Sequence, residues 1–115
     1  MKILLTTLNT KYIHSNLALK YLYESAGIYR DLLEIKEFTI NNDDISVYME
    51  IMRGGYDAVC FSCYIWNISR IEGLIKDIKS SSPGIKIIVG GPEVSFDSEE
   101  LLKRVPEIDL VIQGE

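Results

Sequence analysis

Apolar and polar blocks alternate along the chain and predict five strands separated by helices. Runs of adjacent apolar residues at 2–7, 58–63 and 85–89 predict strands that are buried within a sheet. The segment 32–39 alternates apolar with charged residues, a pattern typical of an edge strand with one wetter face. Residues 109–113 predict a fifth strand at the end of the chain.

Apolar residues at helical spacing fill the segments between the strands. Serine or aspartate stands where these segments begin, and glycine stands where the first two end, as helix capping prefers. The first predicted helix, 15–26, is capped by Ser15 and ended by Gly27, and the second, 44–53, is capped by Asp43 or Asp44 and closed by Gly54 and Gly55. The second helix should bury a stripe of Ile45, Tyr48, Met49 and Met52. The last two predicted helices begin with capping boxes: 68–79 with Ser69 and Glu72, and 97–104 with Asp97 and Glu100.

Strands that alternate with helices require right-handed crossovers between parallel strands, which place helices on both faces of the sheet. We therefore predict one α/β domain over residues 1–115, a doubly wound parallel five-stranded sheet of Rossmann-like or flavodoxin-like type in the order 2-1-3-4-5. In that order the loops 8–14 and 64–67 flank the topological switch point, with residues 90–93 beside them. Ligands of such sheets bind at this carboxyl edge.

Composition and charge narrow the class of protein. With 47% hydrophobic and 25% charged residues, the chain matches a globular protein, for which we expect a cytoplasmic location. A net charge of -5 without a basic stripe argues against nucleic acid as a partner. The longest apolar run, near residues 58–66, is interrupted by Ser62 and is too short to cross a membrane.

Two cysteines form a C-x-x-C string at Cys60 and Cys63, which raises the question of a metal or redox site. Positions three apart on a strand face opposite sides, so we expect two buried thiols, with Cys63 the more exposed. A response-regulator receiver is disfavoured because Ser62 and Cys63 stand where its phosphoacceptor aspartate would be. A flavin carrier stays open, although residues 6–11 hold hydroxyls and no glycine.

The carboxyl edge of the predicted sheet holds the candidate functional residues. Paired glycines before a proline, within residues 90–93, allow close approach of a flat ligand and equally suit an ordinary turn. His14 is the single histidine and falls in a crevice loop, where a solvated histidine is the simpler interpretation. Tyr64 and Trp66 either form a stacking wall for a planar ligand or pack in the core.

Several segments together resemble a known family. The strings at 62–64, 88–92 and 108–111 resemble the cobalamin-binding Rossmann-like domain. The strings at 12–18 and 111–115 resemble, more closely, the amino-terminal domain of cobalamin-binding radical S-adenosylmethionine proteins. The similarity spans nearly the whole chain.

This resemblance implies that a corrinoid lies over the carboxyl edge, with its nucleotide tail in a groove beside the third and fourth strands. The hydroxyl of Ser62 would bond the tail base, and Gly90 with Gly91 would leave the volume that the tail occupies. The cofactor-binding residues implied are Asn9, Thr10, His14, Ser62, Tyr64, Trp66, Gly90, Gly91, Pro92 and Glu93.

One departure from the family concerns the lower cobalt ligand. Many cobalamin domains carry D-x-H-x-x-G after the first strand, but the residues around His14 lack both the aspartate and the glycine. We therefore expect cobalamin to be held without the usual lower histidine, and no metal ligand from this chain.

The resemblance also implies a longer parent protein. A downstream radical S-adenosylmethionine domain in the same chain would carry the 4Fe-4S cluster and S-adenosylmethionine, since the C-x-x-x-C-x-x-C triplet is absent here. The domain itself is then not catalytic, and the parent enzyme is expected to transfer methyl groups. The alternatives are a docking or substrate-gating domain of such a protein that has lost cobalamin, and the flavin carrier.

Overall fold

Five parallel strands form one sheet in the order β2-β1-β3-β4-β5. The computed structural model describes residues 1–10, 23–91, 94 and 98–112. Every pairing between neighbouring strands is parallel. The predicted fold class and strand order are therefore confirmed. The strands are β1 Ile3–Asn9, β2 Leu33–Thr39, β3 Ala58–Ser62, β4 Lys86–Gly90 and β5 Leu110–Val111.

Two strands run further toward the carboxyl edge than the sequence predicts. Leu8 and Asn9 were expected in a loop, but they belong to β1 because the pairing with β2 continues to Asn9 and Thr39. Gly90 likewise belongs to β4, because it pairs with Ser62 at the end of β3. The candidate site is consequently built on strand ends as well as on loops.

The described helices are α1 Asp44–Arg53, α2 Ile68–Ser81 and α3 Ser98–Arg104, with a 3-10 helix at Gly27–Leu32. Residues 23–25 are helical, and most of the predicted first helix lies outside the described residues. Gly27 has φ +60°, a conformation that suits glycine at a helix end. Within the described ranges, no helix is long and apolar enough to cross a membrane.

The start of α1 follows the predicted capping chemistry. The carboxylate of Asp43 accepts a hydrogen bond from the backbone N–H of Ser46 at 2.7 Å, which confirms Asp43 as the N-cap. This bond lowers the pKa of Asp43. Gly55 follows the helix with φ +66°, as expected of a glycine that ends a helix.

The start of α2 differs from its prediction. The helix begins at Ile68 with Asn67 as its N-cap residue, so the predicted capping box of Ser69 and Glu72 is wrong. The helix has already started at Ser69, and the Glu72 carboxylate instead accepts a hydrogen bond from Arg104 at 2.8 Å. Asp97, predicted to cap the last helix, lies outside the described residues.

The larger core lies between one face of the sheet and helices α1 to α3. The predicted stripe of helix α1 faces this core only in part. Tyr48 and Met52 pack against the core as predicted, but Ile45 and Met49 are 75% and 52% exposed. Val47 and Ile51, each 1% exposed, are buried instead. The apolar residues of α1 form more than one stripe, so the position of the helix beside the sheet decides which of them are buried. The fully buried core side chains include Leu4, Leu8, Phe61, Ile71, Leu74, Ile75, Ile78 and Ile87.

The two cysteines lie on opposite faces of the sheet, as predicted. Cys63 packs in the larger core, and Cys60 packs with Leu5 on the other face. The expectation that Cys63 is the more exposed thiol is wrong, because Cys63 is fully buried and Cys60 retains 7% exposure. Burial raises the pKa of Cys60 to about 11, so this thiol stays protonated at neutral pH.

Candidate functional site

The ends of β3 and β4 lie side by side at the carboxyl edge. Ser62 and Gly90 are partners across the two strands, and the backbone N–H of Cys63 donates to the carbonyl of Gly90 at 2.8 Å. Because side chains alternate along a strand, Ser62 lies on the same face as Cys60, opposite the larger core that contains Phe61. We name this side of the sheet, which carries Cys60, Ser62 and Gly90, the Ser62 face.

Ser62 places a side-chain hydroxyl on this part of the Ser62 face. Ser62 is 7% exposed, and its backbone carbonyl accepts a hydrogen bond from the Thr7 hydroxyl at 2.7 Å. No hydrogen bond of the Ser62 hydroxyl itself is found within residues 1–10, 23–91, 94 and 98–112. A hydroxyl in this setting can donate to or accept from a ligand that lies on the Ser62 face.

The two adjacent glycines have different structural roles. Gly91 has φ +105°, and a Cβ there would lie 2.5 Å from the carbonyl oxygen of Cys63 and 2.8 Å from its nitrogen. The absence of a side chain at Gly91 is therefore required by the backbone of Cys63, just after β3, which fills that space. A Cβ at Gly90 would meet Ile112 at 3.6 Å, an ordinary contact, so the strand itself tolerates a side chain there. Of the two, Gly90 leaves room on the Ser62 face.

An aromatic pair stands on the loop that follows β3. The rings of Tyr64 and Trp66 are stacked, with centroids 4.6 Å apart and planes within 1° of parallel. The indole N–H of Trp66 donates to the carbonyl of Leu8 at 3.0 Å, which ties the pair to the end of β1. Trp66 keeps 40% of its surface exposed, so part of this flat apolar surface remains accessible at the edge.

A buried polar network beneath this edge was missed by sequence reasoning. Asn67 is 1% exposed, and its side-chain amide donates to the Thr7 hydroxyl at 3.1 Å and to the Leu8 carbonyl at 3.0 Å. Its side-chain oxygen accepts the backbone N–H of Tyr64 at 2.8 Å. The only sequence signal was an asparagine before a helix, since the partners in β1 lie about 60 positions away.

The model of the B12 binding domain matches residues 3–115 of this chain. The chain belongs to the B12-binding domain family. The fold agrees, because a cobalamin-binding protein from Desulfitobacterium hafniense superposes with a TM-score of 0.65 over 96% of the chain and 52% of that protein, at 14% identity.

Two curated relatives match part of this B12-binding domain. One is a 2-(S-pantetheinyl)-carbapenam-3-carboxylate methyltransferase from Streptantibioticus cattleyicolor, 32% identical over 59 residues. The other is the cobalamin-dependent radical SAM methyltransferase TokK from Streptomyces tokunonensis, 30% identical over 59 residues. Each match covers 51% of the chain and 9% of the relative's own length.

Four of the predicted cofactor residues of this B12-binding domain meet around the ends of β3 and β4, two lie at the end of β1 on the same edge, and the others adjoin them or lie outside the described residues. Asn9 is the last residue of β1, is 2% exposed, and donates its amide to Glu37 on β2 at 2.9 Å. Thr10 follows it and is half-buried. Brought together at the ends of β3 and β4 are Ser62, Tyr64, Trp66 and Gly90, with Gly91 adjoining, while His14, Pro92 and Glu93 lie outside the described residues.

Two surface clefts of the domain lie away from this edge. One of about 350 Å³ lies between β2 and the first turns of α1, and the other, of about 290 Å³, lies between α1 and α2. In the first, Lys36 bonds Glu50 at 2.9 Å and thereby lowers the pKa of Glu50. Neither cleft is lined by Ser62, Gly90 or the aromatic pair, so we do not include them in the candidate site.

Proposed function

We propose that this chain binds cobalamin and presents it within a radical S-adenosylmethionine enzyme of the methyltransferase type. The observation that carries the proposal is the placement of the Ser62 hydroxyl beside Gly90 on one face of the strand ends. This placement occurs in a chain that the B12-binding domain model matches over residues 3–115. The stacked Tyr64 and Trp66 at the same edge support it further.

The residues present fit such a cofactor. Ser62 and Gly90 would hold the nucleotide tail, since one offers a hydroxyl and the other leaves volume on the Ser62 face. Tyr64 and Trp66 offer a flat apolar surface suited to the corrin ring. When bound, cobalamin supplies a cobalt centre that carries a methyl group. The chain's own part is to bind and orient the ring.

We further propose that cobalt takes no lower histidine ligand from this chain. The sequence around His14 lacks the aspartate and glycine that accompany such a ligand in the family. The two curated relatives, both named as methyltransferases, support methyl transfer as the parent reaction. The matches cover only 9% of each relative. We therefore also propose that a partner domain in the same protein holds the 4Fe-4S cluster and S-adenosylmethionine.

Cobalamin binding is tested by mixing the full-length protein with hydroxocobalamin, desalting, and recording the absorbance spectrum. We expect a retained corrinoid spectrum, and weaker retention of cobinamide, which lacks the nucleotide tail. Ser62→Ala should weaken cobalamin binding and leave cobinamide binding nearly unchanged, because only the tail reaches the hydroxyl. Ser80→Ala, an exposed serine on α2, is the matched control and should bind both as the unaltered protein does.

Three results would contradict the proposal. A colourless protein after desalting favours a docking or gating domain without cobalamin. Equal loss of both corrinoids in Ser62→Ala would mean that Ser62 does not act on the tail. A yellow preparation would favour the flavin carrier. The structure does not support a flavin phosphate loop at Thr6 and Thr7, because their hydroxyls already donate to backbone carbonyls at 2.6 and 2.7 Å.

A further inference from the structure

We propose that Asn67, acting through Thr7, is a positioning residue of the cobalamin site. It fixes the position of Ser62, beside the proposed nucleotide tail, relative to the aromatic pair of Tyr64 and Trp66. The inference rests on the proposed function. Its basis is one chain of hydrogen bonds: the Asn67 amide donates to the Thr7 hydroxyl at 3.1 Å, and that hydroxyl donates to the Ser62 carbonyl at 2.7 Å.

The side chain of Asn67 does not cap the helix that it precedes. Asn67 is the N-cap residue of α2, yet its side chain makes no capping hydrogen bond to that helix. The side chain bonds the Leu8 carbonyl at the end of β1 and the backbone N–H of Tyr64 instead. An asparagine in this position ordinarily stabilises its helix, so its diversion toward β1 indicates a different task.

The network joins the two parts of the proposed site. One end fixes the backbone of Ser62, whose hydroxyl faces the tail, and the other fixes the backbone of Tyr64, where the aromatic loop begins. Thr7 and Asn67 are each 1% exposed, so water does not compete for these bonds. A buried polar network whose groups are satisfied gives one geometry rather than several. Loss of a member should therefore loosen both parts together.

The same strand provides a matched control. Thr6 is also 1% exposed, and its hydroxyl also donates to a backbone carbonyl, that of Lys36, at 2.6 Å. This bond reaches the edge strand β2 and has no link to Ser62 or Tyr64 among the described residues. Thr6→Val and Thr7→Val thus each remove a buried hydroxyl from adjacent positions. The first deletes one hydrogen bond away from the proposed site, and the second deletes two within its support.

The test measures the hydroxocobalamin dissociation constant and the melting temperature of both variants in the full-length protein. We expect the melting temperature of Thr7→Val to be the lower of the two, because it loses one more hydrogen bond. At a temperature at which both variants are folded, we expect about tenfold weaker cobalamin binding, about 1.4 kcal/mol, in Thr7→Val alone. Thr7→Ser, which keeps the hydroxyl, should restore binding. Equal affinities of the folded Thr6→Val and Thr7→Val variants would overturn the positioning role while leaving cobalamin binding itself intact.

A second measurement does not depend on a variant that folds. In protein labelled with [15N]asparagine, the side-chain amide signals of Asn67 should shift when hydroxocobalamin is added, whereas those of the exposed Asn41 should not. Unshifted Asn67 signals in a protein whose spectrum shows bound cobalamin would overturn the inference. If the unaltered protein binds no cobalamin, the proposed function fails and this inference fails with it.

Discussion

Replacement of Gly91 by alanine separates the structural glycine of the pair from the one that faces the proposed ligand. A Cβ at Gly91 would lie 2.5 Å from the carbonyl oxygen of Cys63, a separation that real side chains do not adopt. Because the obstructing atoms belong to the backbone, no side-chain rotation relieves the contact. The ends of β3 and β4 must separate, and the 2.8 Å hydrogen bond from Cys63 to Gly90 is lost.

The cost has two parts. Holding a residue other than glycine at the φ of +105° found at Gly91 costs on the order of 1–3 kcal/mol. Loss of the Cys63 hydrogen bond adds about 1 kcal/mol. We therefore expect Gly91→Ala to lower the free energy of unfolding by roughly 2–4 kcal/mol, a large fraction of the stability of an ordinary domain.

Urea unfolding followed by circular dichroism measures this loss, with Gly90→Ala as the control. A Cβ at Gly90 would make an ordinary contact with Ile112 at 3.6 Å, so the unfolding free energy should change by less than about 1 kcal/mol. On the proposed function, Gly90→Ala should instead weaken cobalamin binding, because its methyl group enters the Ser62 face. Equal stability losses at Gly90 and Gly91 would refute the structural distinction drawn between them.

Three further substitutions or conditions test the fold. Burial by itself would raise the pKa of Asp109, but hydrogen bonds from Lys79 and from the backbone N–H of Ile87, both 2.8 Å, lower it below 3.8. Asp109→Asn should therefore cost about 1 kcal/mol at neutral pH, and its difference from the unaltered protein in urea unfolding should shrink as the pH falls below about 3.8. Ile71→Ala should lower the free energy of unfolding by about 2–5 kcal/mol, because this side chain is fully buried. With a pKa raised to about 11 by burial, Cys60 should react with a thiol reagent at pH 8 only after unfolding in urea; fast labelling of the native protein would contradict its burial.

The fold was predictable because its strands differ in their apolar pattern. Continuous apolar runs at 2–7 and 58–63 correspond to β1 and β3, which are buried in the sheet centre, and the alternating run at 32–39 corresponds to the edge strand β2. The buried side of α1 was predictable only in part, since Tyr48 and Met52 pack against the core but Ile45 and Met49 do not. Both Ile45 and Val47 belong to apolar stripes at helical spacing, and only packing against the sheet selects the stripe that contains Val47.

The candidate site was predictable where it depends on local residue type. Paired glycines and a serine at the ends of two neighbouring strands can be identified in the sequence. The support provided by Asn67 and Thr7 was not, because it arises from bonds between residues about 60 positions apart. The different roles of Gly90 and Gly91 also needed coordinates, since only the approach of the Cys63 backbone distinguishes them.

On the proposed function, the two faces of the sheet have different roles, one in stability and the other in binding. The face opposite Ser62 is closed by helices that bury Ile51 and Ile71, and it holds the larger of the two core clusters formed by the described residues. Beside Gly90, the Ser62 face keeps apolar surface accessible, with Leu110 and Ile112 53% and 47% exposed. Accessible apolar surface of this kind is available to a ligand without disturbing the core on the other side. The division follows from the period of two along a strand, which assigns successive residues to opposite faces. It explains why substitutions that alter the fold and substitutions that alter binding are expected at adjacent positions in this chain.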